Sequence, residues 1–191
     1  MNSNGRHLRG AVIAGAVVAT LSLAPAAVAQ SPAKAPSAAG ATTLVFDKNP
    51  NDPTNSRLNV YRGTKPLAAY RAGSGNGKEI KNDCAIGKGW MPNGTWKIRN
   101  KYRTYNGQRI KGFAVYLEDM KCSSGKAKRT QMFIHSEMNR DGTQGRTEPR
   151  RWDGAGDYKS NGCVKLKPED IVKMFRLLDR YGWPTHLRVV N

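Results

Sequence analysis

The sequence is short of acidic side chains and of cysteine, and both shortages narrow the class of protein and the ligands that fit it. Its 191 residues hold 14 Asp and Glu against 32 Lys and Arg, a net charge of +18. A surface this basic is drawn to polyanions, which include nucleic acids, anionic lipids and anionic wall polymers. The three cysteines cannot all pair within one chain. An oxidising environment would therefore leave one disulfide and one free thiol.

Long apolar runs are also missing, so no stable membrane span is expected. The apolar run at the N-terminus extends from Gly10 to Leu23, and a helix needs about 20 such residues to cross a bilayer. Arg6 and Arg9 precede this run and Ala27-Val28-Ala29 follows it, which is the layout of a secretory signal. We predict a signal peptide over residues 1–29 and a secreted, extracellular protein. No cysteine follows the predicted cleavage site, which excludes a lipoprotein.

The rest of the chain divides into a linker and one domain. Residues 30–42 are almost all Ala, Ser, Pro, Gly and Thr, a composition that cannot bury enough apolar surface to fold. Residues 43–191 have the length of a single domain, and they show neither repeats nor heptads. Export makes an anionic cell-wall polymer the expected polyanion and argues against nucleic acid. The alternative is that the basic surface only keeps the protein soluble.

Short apolar segments separated by turn residues indicate a mainly β domain. One helix is predicted to begin at Pro168, which needs no N–H at that position, and to end before Gly182. Glu169 and Asp170 lie in its first turn, where negative charge is favourable. The predicted strands contain Leu58 to Tyr61, Thr95 to Ile98, Phe113 to Leu117, Met132 to His135 and Leu187 to Val190.

A long polar stretch from Asn139 to Lys159 separates the strand that ends at His135 from Ser160. An irregular connection of this length is usually a functional lid or a mobile segment. Trp152 lies within it and is a candidate substrate contact, the alternative being a residue at the rim of the core.

Cys163 and His135 have the features of a nucleophile and its base. A cysteine nucleophile needs a base, a group that orients the base, and N–H donors for the charge that develops on the attacked carbonyl. His135 closes an apolar strand, while Cys163 ends the run Ser160-Asn161-Gly162-Cys163, which is small and turn-prone. Taken alone, these residues leave open that Cys163 is half of a disulfide and that His135 is only packed at a strand end.

The same residues resemble the signature of the L,D-transpeptidase catalytic domain of bacterial peptidoglycan enzymes. That signature is an apolar-His-(Gly/Ser) strand end, a spacer, and Ser/Thr-His-Gly-Cys-apolar-(Arg/Asn). Here it reads Phe133-Ile134-His135-Ser136 and then Ser160-Asn161-Gly162-Cys163-Val164-Lys165. Upstream, Met91 to Trp96 is similar to the family's Pro-x-Gly-x-aromatic hairpin, and Arg57 to Tyr61 to its opening strand. Asn161 and Lys165 differ from the motif, and the spacer is longer than the family's usual one.

The resemblance implies a fold and a set of roles. The expected fold is a β-sandwich-like catalytic domain over residues 43–191 with one or two helices. Cys163 would be the nucleophile and His135 the base, oriented by the Ser136 carbonyl or hydroxyl. Backbone amides around Asn161, Gly162 and Cys163 would hold the oxyanion. Ser160, Lys165 and Trp152 would bind substrate.

The resemblance also implies the partners. The substrates would be peptidoglycan stem peptides, cross-linked by a monomeric acyltransferase that uses no cofactor and no metal ion. If Cys163 must stay reduced as the nucleophile, Cys84 and Cys122 remain as the disulfide pair.

Two other functions fit parts of the sequence. A Cys/His peptidoglycan hydrolase of the papain type places its cysteine before its histidine, and only His186 follows Cys163. A non-catalytic, cationic wall-binding protein would use the charge alone, with Asn161 marking a decayed site.

Overall fold

A computed structural model describes residues 40–140, 143, 152 and 154–191, all within one unit of contacts, Pro36–Asn191. The predicted signal peptide and most of the predicted linker lie outside these residues and stay predictions. The first strand begins at Thr42, the last residue of that linker. The elements are β1 (Thr42–Asp47), β2 (Ser56–Arg62), β3 (Lys65–Gly73), β4 (Gly94–Asn106), β5 (Lys111–Leu117), β6 (Met120–Lys121), β7 (Lys128–Arg129), β8 (Phe133–His135), a 3-10 helix (Ala155–Tyr158), β9 (Val164–Leu166), α1 (Pro168–Tyr181) and β10 (His186–Val190).

Eight strands close into a barrel in the order β1-β10-β4-β5-β8-β9-β3-β2, and β6 and β7 form a separate two-stranded sheet. Two neighbouring pairs in the barrel are parallel, β1 with β10 and β8 with β9. The predicted mainly β fold with one or two helices is confirmed. Its sandwich-like core takes the form of one sheet closed on itself, which leaves none of the eight described strands at an open edge.

The core follows the period-two alternation of the strands. Leu44 and Phe46 of β1, and Leu58 and Val60 of β2, are buried, while their neighbours along each strand are more exposed. Trp96 of β4 is the largest fully buried side chain. Fully burying a Leu, Val or Phe side chain contributes about 1.5–3 kcal/mol, so the many buried side chains of the barrel interior stabilise the fold.

Helix α1 has the bounds that the sequence predicts. Pro168 occupies its first turn together with two acidic residues. The helix ends at Tyr181, and the capping residue Gly182 has φ +94° and donates its N–H to the Leu178 carbonyl at 2.9 Å. Its buried stripe, which includes Ile171, Met174 and Phe175, packs in the same cluster as the strands. In the described part of the chain, helices are too short or too polar to cross a membrane.

A disulfide fixes the loop between β3 and β4. It joins Cys84 to Cys122 with the two Cα atoms 5.0 Å apart, which confirms the predicted pair. Asp83 strengthens the connection, because its carboxylate accepts hydrogen bonds from the backbone N–H and hydroxyl of Ser123. The disulfide and Asp83 together anchor the loop beside the β6–β7 hairpin. The third cysteine, Cys163, is free and buried.

Candidate active site

Parallel pairing of β8 with β9 brings the two predicted catalytic residues together. Ile134 pairs with Val164 and His135 with Lys165. Side chains alternate along a strand, and Ile134 and Val164 are fully buried in the core. His135 therefore lies on the opposite side of the sheet, and so does Cys163, one residue before Val164. A contact between segments that are distant in sequence thus places both residues on one wall.

The face of β8 and β9 that carries His135 and Cys163 forms one wall of a cavity of about 530 Å³. The cavity is bounded by four described segments, at residues 86–87, 105–110, 129–137 and 159–165. Gly162 and Trp152 are absent from its lining. The predicted site residues that do line it are His135, Ser136, Ser160, Asn161, Cys163 and Lys165.

The Cys163 thiol is protonated at rest. Its side chain is almost fully enclosed, and this burial raises its pKa to about 11, against the opposing effects of the Phe133 N–H and the Arg129 charge. The Phe133 backbone N–H donates to Sγ at 3.3 Å, and Sγ donates to the Gln131 carbonyl at 3.7 Å. Gln131 itself has φ +54°, a left-handed conformation that costs a non-glycine residue about 1 kcal/mol or more. The carbonyl that accepts the hydrogen bond of the thiol therefore belongs to a residue in a strained conformation.

His135 is neutral and held in one tautomer. Its Nδ1 lies 3.0 Å from the Ser136 carbonyl oxygen. Because a carbonyl only accepts, Nδ1 carries the proton and Nε2 keeps the basic lone pair. Burial is the main reason that the pKa of His135 falls to about 4; the hydrogen bond to Ser136 opposes this shift, and the charge of Lys165 adds to it. The orienting group is thus the Ser136 carbonyl, while the buried Ser136 hydroxyl finds no partner among the described residues.

The two predicted catalytic side chains do not hydrogen-bond to each other at rest. Both hydrogen bonds of Sγ within the described residues go to backbone groups of the segment leading into β8. The other described histidine, His186, is exposed at the start of β10, lies 2.8 Å from the Thr185 hydroxyl, and does not line the cavity. His135 is therefore the base that the geometry offers to Cys163.

The Ser160–Cys163 turn is organised by the hydroxyl of Ser160. This hydroxyl donates to the Cys163 carbonyl at 2.6 Å and accepts from the backbone N–H groups of Gly162 and Gly75 at 3.1 and 3.2 Å. The Gly162 amide, predicted as an oxyanion donor, is thus engaged within the turn. The N–H groups of Asn161 and Cys163 donate to none of the described residues and are the donors that remain.

Glycine is required at position 162. Its φ of +116° is unfavourable for other residues. A Cβ there would also overlap the Arg129 guanidinium and lie 2.9 Å from the Gly89 carbonyl oxygen. The backbone can therefore pass over Arg129 only because Gly162 has no side chain. Cys163 is the next residue along the chain.

The Asn161 side chain links two loops at the cavity. With its amide oriented so that each atom meets a complementary partner, the nitrogen donates to the Gly87 carbonyl and the oxygen accepts from Arg109 Nη1, both at 3.0 Å. Gly87 lies on the disulfide-anchored loop and Arg109 in the turn between β4 and β5. Asn161 therefore has a side-chain role that the sequence did not predict.

Lys165 belongs to a charge pair. Its Nζ lies 2.7 Å from Glu137 Oε2 and 5.4 Å from the ring centroid of Trp152. Trp152 also packs edge-on against Tyr158. Trp152 thus covers Lys165 without reaching the lining of the cavity. The predicted substrate-binding roles of Lys165 and Trp152 stay predictions.

Sequence reasoning missed four charged residues that line the cavity, which are Arg109, Arg129, Glu137 and Lys159. Arg129 is 2% exposed and donates to the carbonyls of Asp83, Gly89 and Trp90. It carries no local signal, because it is one of 32 basic residues. Glu137 lies just beyond β8, two residues after His135, where strand alternation no longer predicts the side on which a side chain lies.

One described group has metal-ligand atoms close together. Asp83 and the two sulfurs of Cys84 and Cys122 lie within 4.8 Å of one another. Because these sulfurs are bonded to each other, they are not the thiolates that bind metal ions. The group therefore does not support a metal site.

The domain is mainly β, and a free cysteine and an oriented histidine lie on one wall of its cavity. The family model of the L,D-transpeptidase catalytic domain, YkuD, matches residues 50–182. The chain belongs to this family.

Solved structures give more distant likenesses. L,D-transpeptidase 1 of Mycobacterium tuberculosis is 17% identical, with a TM-score of 0.42, over 78% of this chain and 63% of that one. An L,D-transpeptidase of Stackebrandtia nassauensis is 18% identical, with a TM-score of 0.44, over 78% and 55%. A Bdellovibrio bacteriovorus protein is 13% identical, with a TM-score of 0.48, over 80% and 49%. The chain thus spans roughly half to under two thirds of their lengths. Comparison with curated proteins finds no match.

Proposed function

We propose that the protein is a secreted cell-wall enzyme that cross-links peptidoglycan stem peptides, with Cys163 as nucleophile and His135 as base. One observation carries the proposal. The β8–β9 pairing puts a free cysteine and a neutral, oriented histidine on one cavity wall, in a chain of the L,D-transpeptidase family. We further propose that it acts as a monomer and that its basic surface binds anionic wall polymers.

In the first step the thiol turns from the Gln131 carbonyl towards His135 Nε2, which accepts its proton. The sulfur attacks the carbonyl carbon between the third residue of a stem tetrapeptide and its terminal D-Ala. The N–H groups of Asn161 and Cys163 stabilise the oxyanion. The C–N bond then breaks as His135 returns the proton to the leaving nitrogen, so D-Ala departs and a thioester remains on Cys163.

In the second step the side-chain amine of a diamino acid on a neighbouring stem attacks the thioester. His135 accepts a proton from this amine, the carbon–sulfur bond breaks, and Cys163 regains its proton. One peptide bond has formed for the one that was broken. No oxidant, reductant or cofactor is consumed.

The pKa values determine what His135 has to contribute. A thiol with a pKa of about 11 is ionised in only about one molecule in 10⁴ at pH 7. Deprotonation must therefore accompany attack. Proton delivery to the leaving amine adds a further factor of about 10² to 10⁴, so the same histidine serves both halves of the step.

Purified muropeptides test the proposal directly. The full chain is incubated with tetrapeptide stems, and D-Ala release and cross-linked products are measured by mass spectrometry. Cys163→Ala should abolish both and leave the disulfide intact. A carbapenem should add to the full chain as a mass shift that the Ala variant lacks. Unchanged D-Ala release by Cys163→Ala would exclude the mechanism.

A non-catalytic, cationic wall-binding protein is the second candidate. Its support is that burial raises the pKa of the Cys163 thiol to about 11 and that the thiol makes its hydrogen bonds with backbone groups, not with His135. Such a protein would sediment with purified cell walls but form no thioester. Cys163-dependent release of D-Ala cannot be explained by this alternative, so the same assay separates the two.

A further inference from the structure

The lining of the cavity is strongly basic. Among its described residues are four cations and one carboxylate: Arg109, Arg129, Lys159, Lys165 and Glu137. A cleft with such an excess of one charge attracts ligands of the opposite charge. The question is which cation is left to bind one.

Two of the four cations are already committed. Arg129 is buried and donates to the backbone carbonyls of Asp83, Gly89 and Trp90. Lys165 is 6% exposed and forms a 2.7 Å ion pair with Glu137. These contacts fix the walls of the cavity and leave neither cation without a partner.

Arg109 is held differently. Its Nη1 donates to the Asn161 carboxamide oxygen at 3.0 Å, and within the described part of the chain it pairs with no carboxylate. A neutral amide orients a guanidinium without cancelling its charge, whereas an aspartate would neutralise it. The backbone beneath Arg109 is also defined, because Gly107 donates its N–H to the Ile110 carbonyl at 3.0 Å. Among the residues that the structure describes, Arg109 is thus a positioned guanidinium at the cavity without a carboxylate partner.

The Asn161 contact also places this charge close to the chemistry. Asn161 is two residues before Cys163, and its other amide atom is fixed by the Gly87 carbonyl at 3.0 Å. One guanidinium nitrogen bonds Asn161, which leaves further N–H donors in a planar arrangement that matches a carboxylate. Lys159 is the remaining cation, but an ammonium on a flexible stem lacks this geometry.

We propose that Arg109, positioned by Asn161, forms a binding site for a carboxylate of the donor stem peptide. The inference rests on the proposed function for the identity of the ligand. It assigns to Arg109 a specificity-determining role, and to the Asn161 side chain the task of holding the guanidinium in place. The site selects donors that carry a free carboxylate near the bond attacked by Cys163.

Substrate amidation combined with substitution tests this site. Donor muropeptides with every carboxylate free are compared with donors in which each carboxylate in turn is a carboxamide. The proteins are the unaltered chain, Arg109→Met, Arg109→Lys and Lys159→Met. Arg109→Met should raise KM for the free donor by about 10- to 100-fold, the range for a charge-assisted contact, with kcat within about threefold.

Amidation of one particular carboxylate should abolish the KM difference between the unaltered chain and Arg109→Met, and amidation of any other carboxylate should not. For the donor amidated there, the unaltered chain and Arg109→Met should have the same KM. Arg109→Lys should recover part of the affinity, and Lys159→Met should stay within about threefold of the unaltered chain. Because Arg109 is exposed, a folded variant is expected, and retention of the disulfide and of the circular dichroism spectrum checks it.

Two results overturn the inference. One is an Arg109→Met effect of the same size for every amidated donor. The other is an equal loss in Lys159→Met, which indicates general attraction by net charge. If the unaltered chain releases no D-Ala from any donor, the proposed function fails. Calorimetric Kd values for the same peptides and variants then decide the inference by the same comparison.

Discussion

His135 and Cys163 should each leave a separate signature in the dependence of stability on pH. Burial lowers the pKa of His135 from 6.5 to about 4 and raises that of Cys163 from 9.0 to about 11. Below pH 6.5 the unfolded chain binds a proton on His135 that the folded protein does not accept until about pH 4. The free energy of unfolding therefore falls as the pH drops through this window.

The size of the effect follows from the shift. A difference of one pKa unit corresponds to 1.36 kcal/mol, so His135 should cost the folded protein about 3 kcal/mol at pH 4 relative to pH 7.5. Cys163 affects the free energy of unfolding at alkaline pH instead, because above pH 9 the unfolded chain releases a proton that the folded protein retains. Stability is then lost as the pH rises, by about 1 kcal/mol between pH 8 and pH 10.

Urea unfolding followed by tryptophan fluorescence measures both effects. His135→Asn keeps an amide N–H for the Ser136 carbonyl and removes the titration. The acid limb, which is the fall in the free energy of unfolding between pH 7.5 and pH 4, should therefore be about 3 kcal/mol smaller than in the unaltered chain. Cys163→Ala should flatten only the alkaline limb and serves as the matched control. An acid limb unchanged in His135→Asn would show that the folded ring is already protonated or well solvated, and the assignment of a neutral base would fail.

Three further predictions concern the disulfide, the turn and the choice of base. Replacing Cys84 and Cys122 together by Ser should lower the free energy of unfolding by about 4 kcal/mol, from the entropy of a loop closed over 38 residues; urea titration under oxidising conditions measures it, and an unchanged midpoint refutes it. Asn161→Pro should lower kcat far more than Asn161→Ala, because proline removes the backbone N–H; equal kcat losses would show that this amide is unused. His135→Ala should abolish D-Ala release, while His186→Ala should change it by less than about threefold; inactivation by His186→Ala would favour the hydrolase reading instead.

Local pattern was sufficient for much of the fold. The helix bounds and five strand positions follow from period, proline and glycine alone. Five strands were missed: the two-residue strands β6 and β7 of the separate hairpin, and three strands of the barrel. β1 follows an Ala- and Pro-rich tract that hid its short apolar run, β3 mixes alanines with exposed polar residues, and β9 has three residues. Barrel closure depends on which strands pair, and sequence periodicity does not determine that.

The candidate site divides in the same way. The cysteine, the histidine and the disulfide pair could be inferred because the resemblance to the L,D-transpeptidase signature selected among a few residues of rare types. Their common wall could not, since it depends on the β8–β9 register. Arg109 and Arg129 were missed because nothing local distinguishes one arginine among many. What distinguishes them is the acceptor that each meets in space, an amide oxygen for one and backbone carbonyls for the other.

The position of β10 has a consequence for how the chain folds. This strand pairs with β1 on one side and β4 on the other, so Leu44 meets Leu187 only after almost the whole domain has been synthesised. Pairings over such sequence distances slow folding towards the millisecond-to-second range. Until β10 inserts, β1 and β4 each present an open edge that can pair with other chains. The rate at which the last strand arrives therefore sets how long the nascent domain stays prone to aggregation.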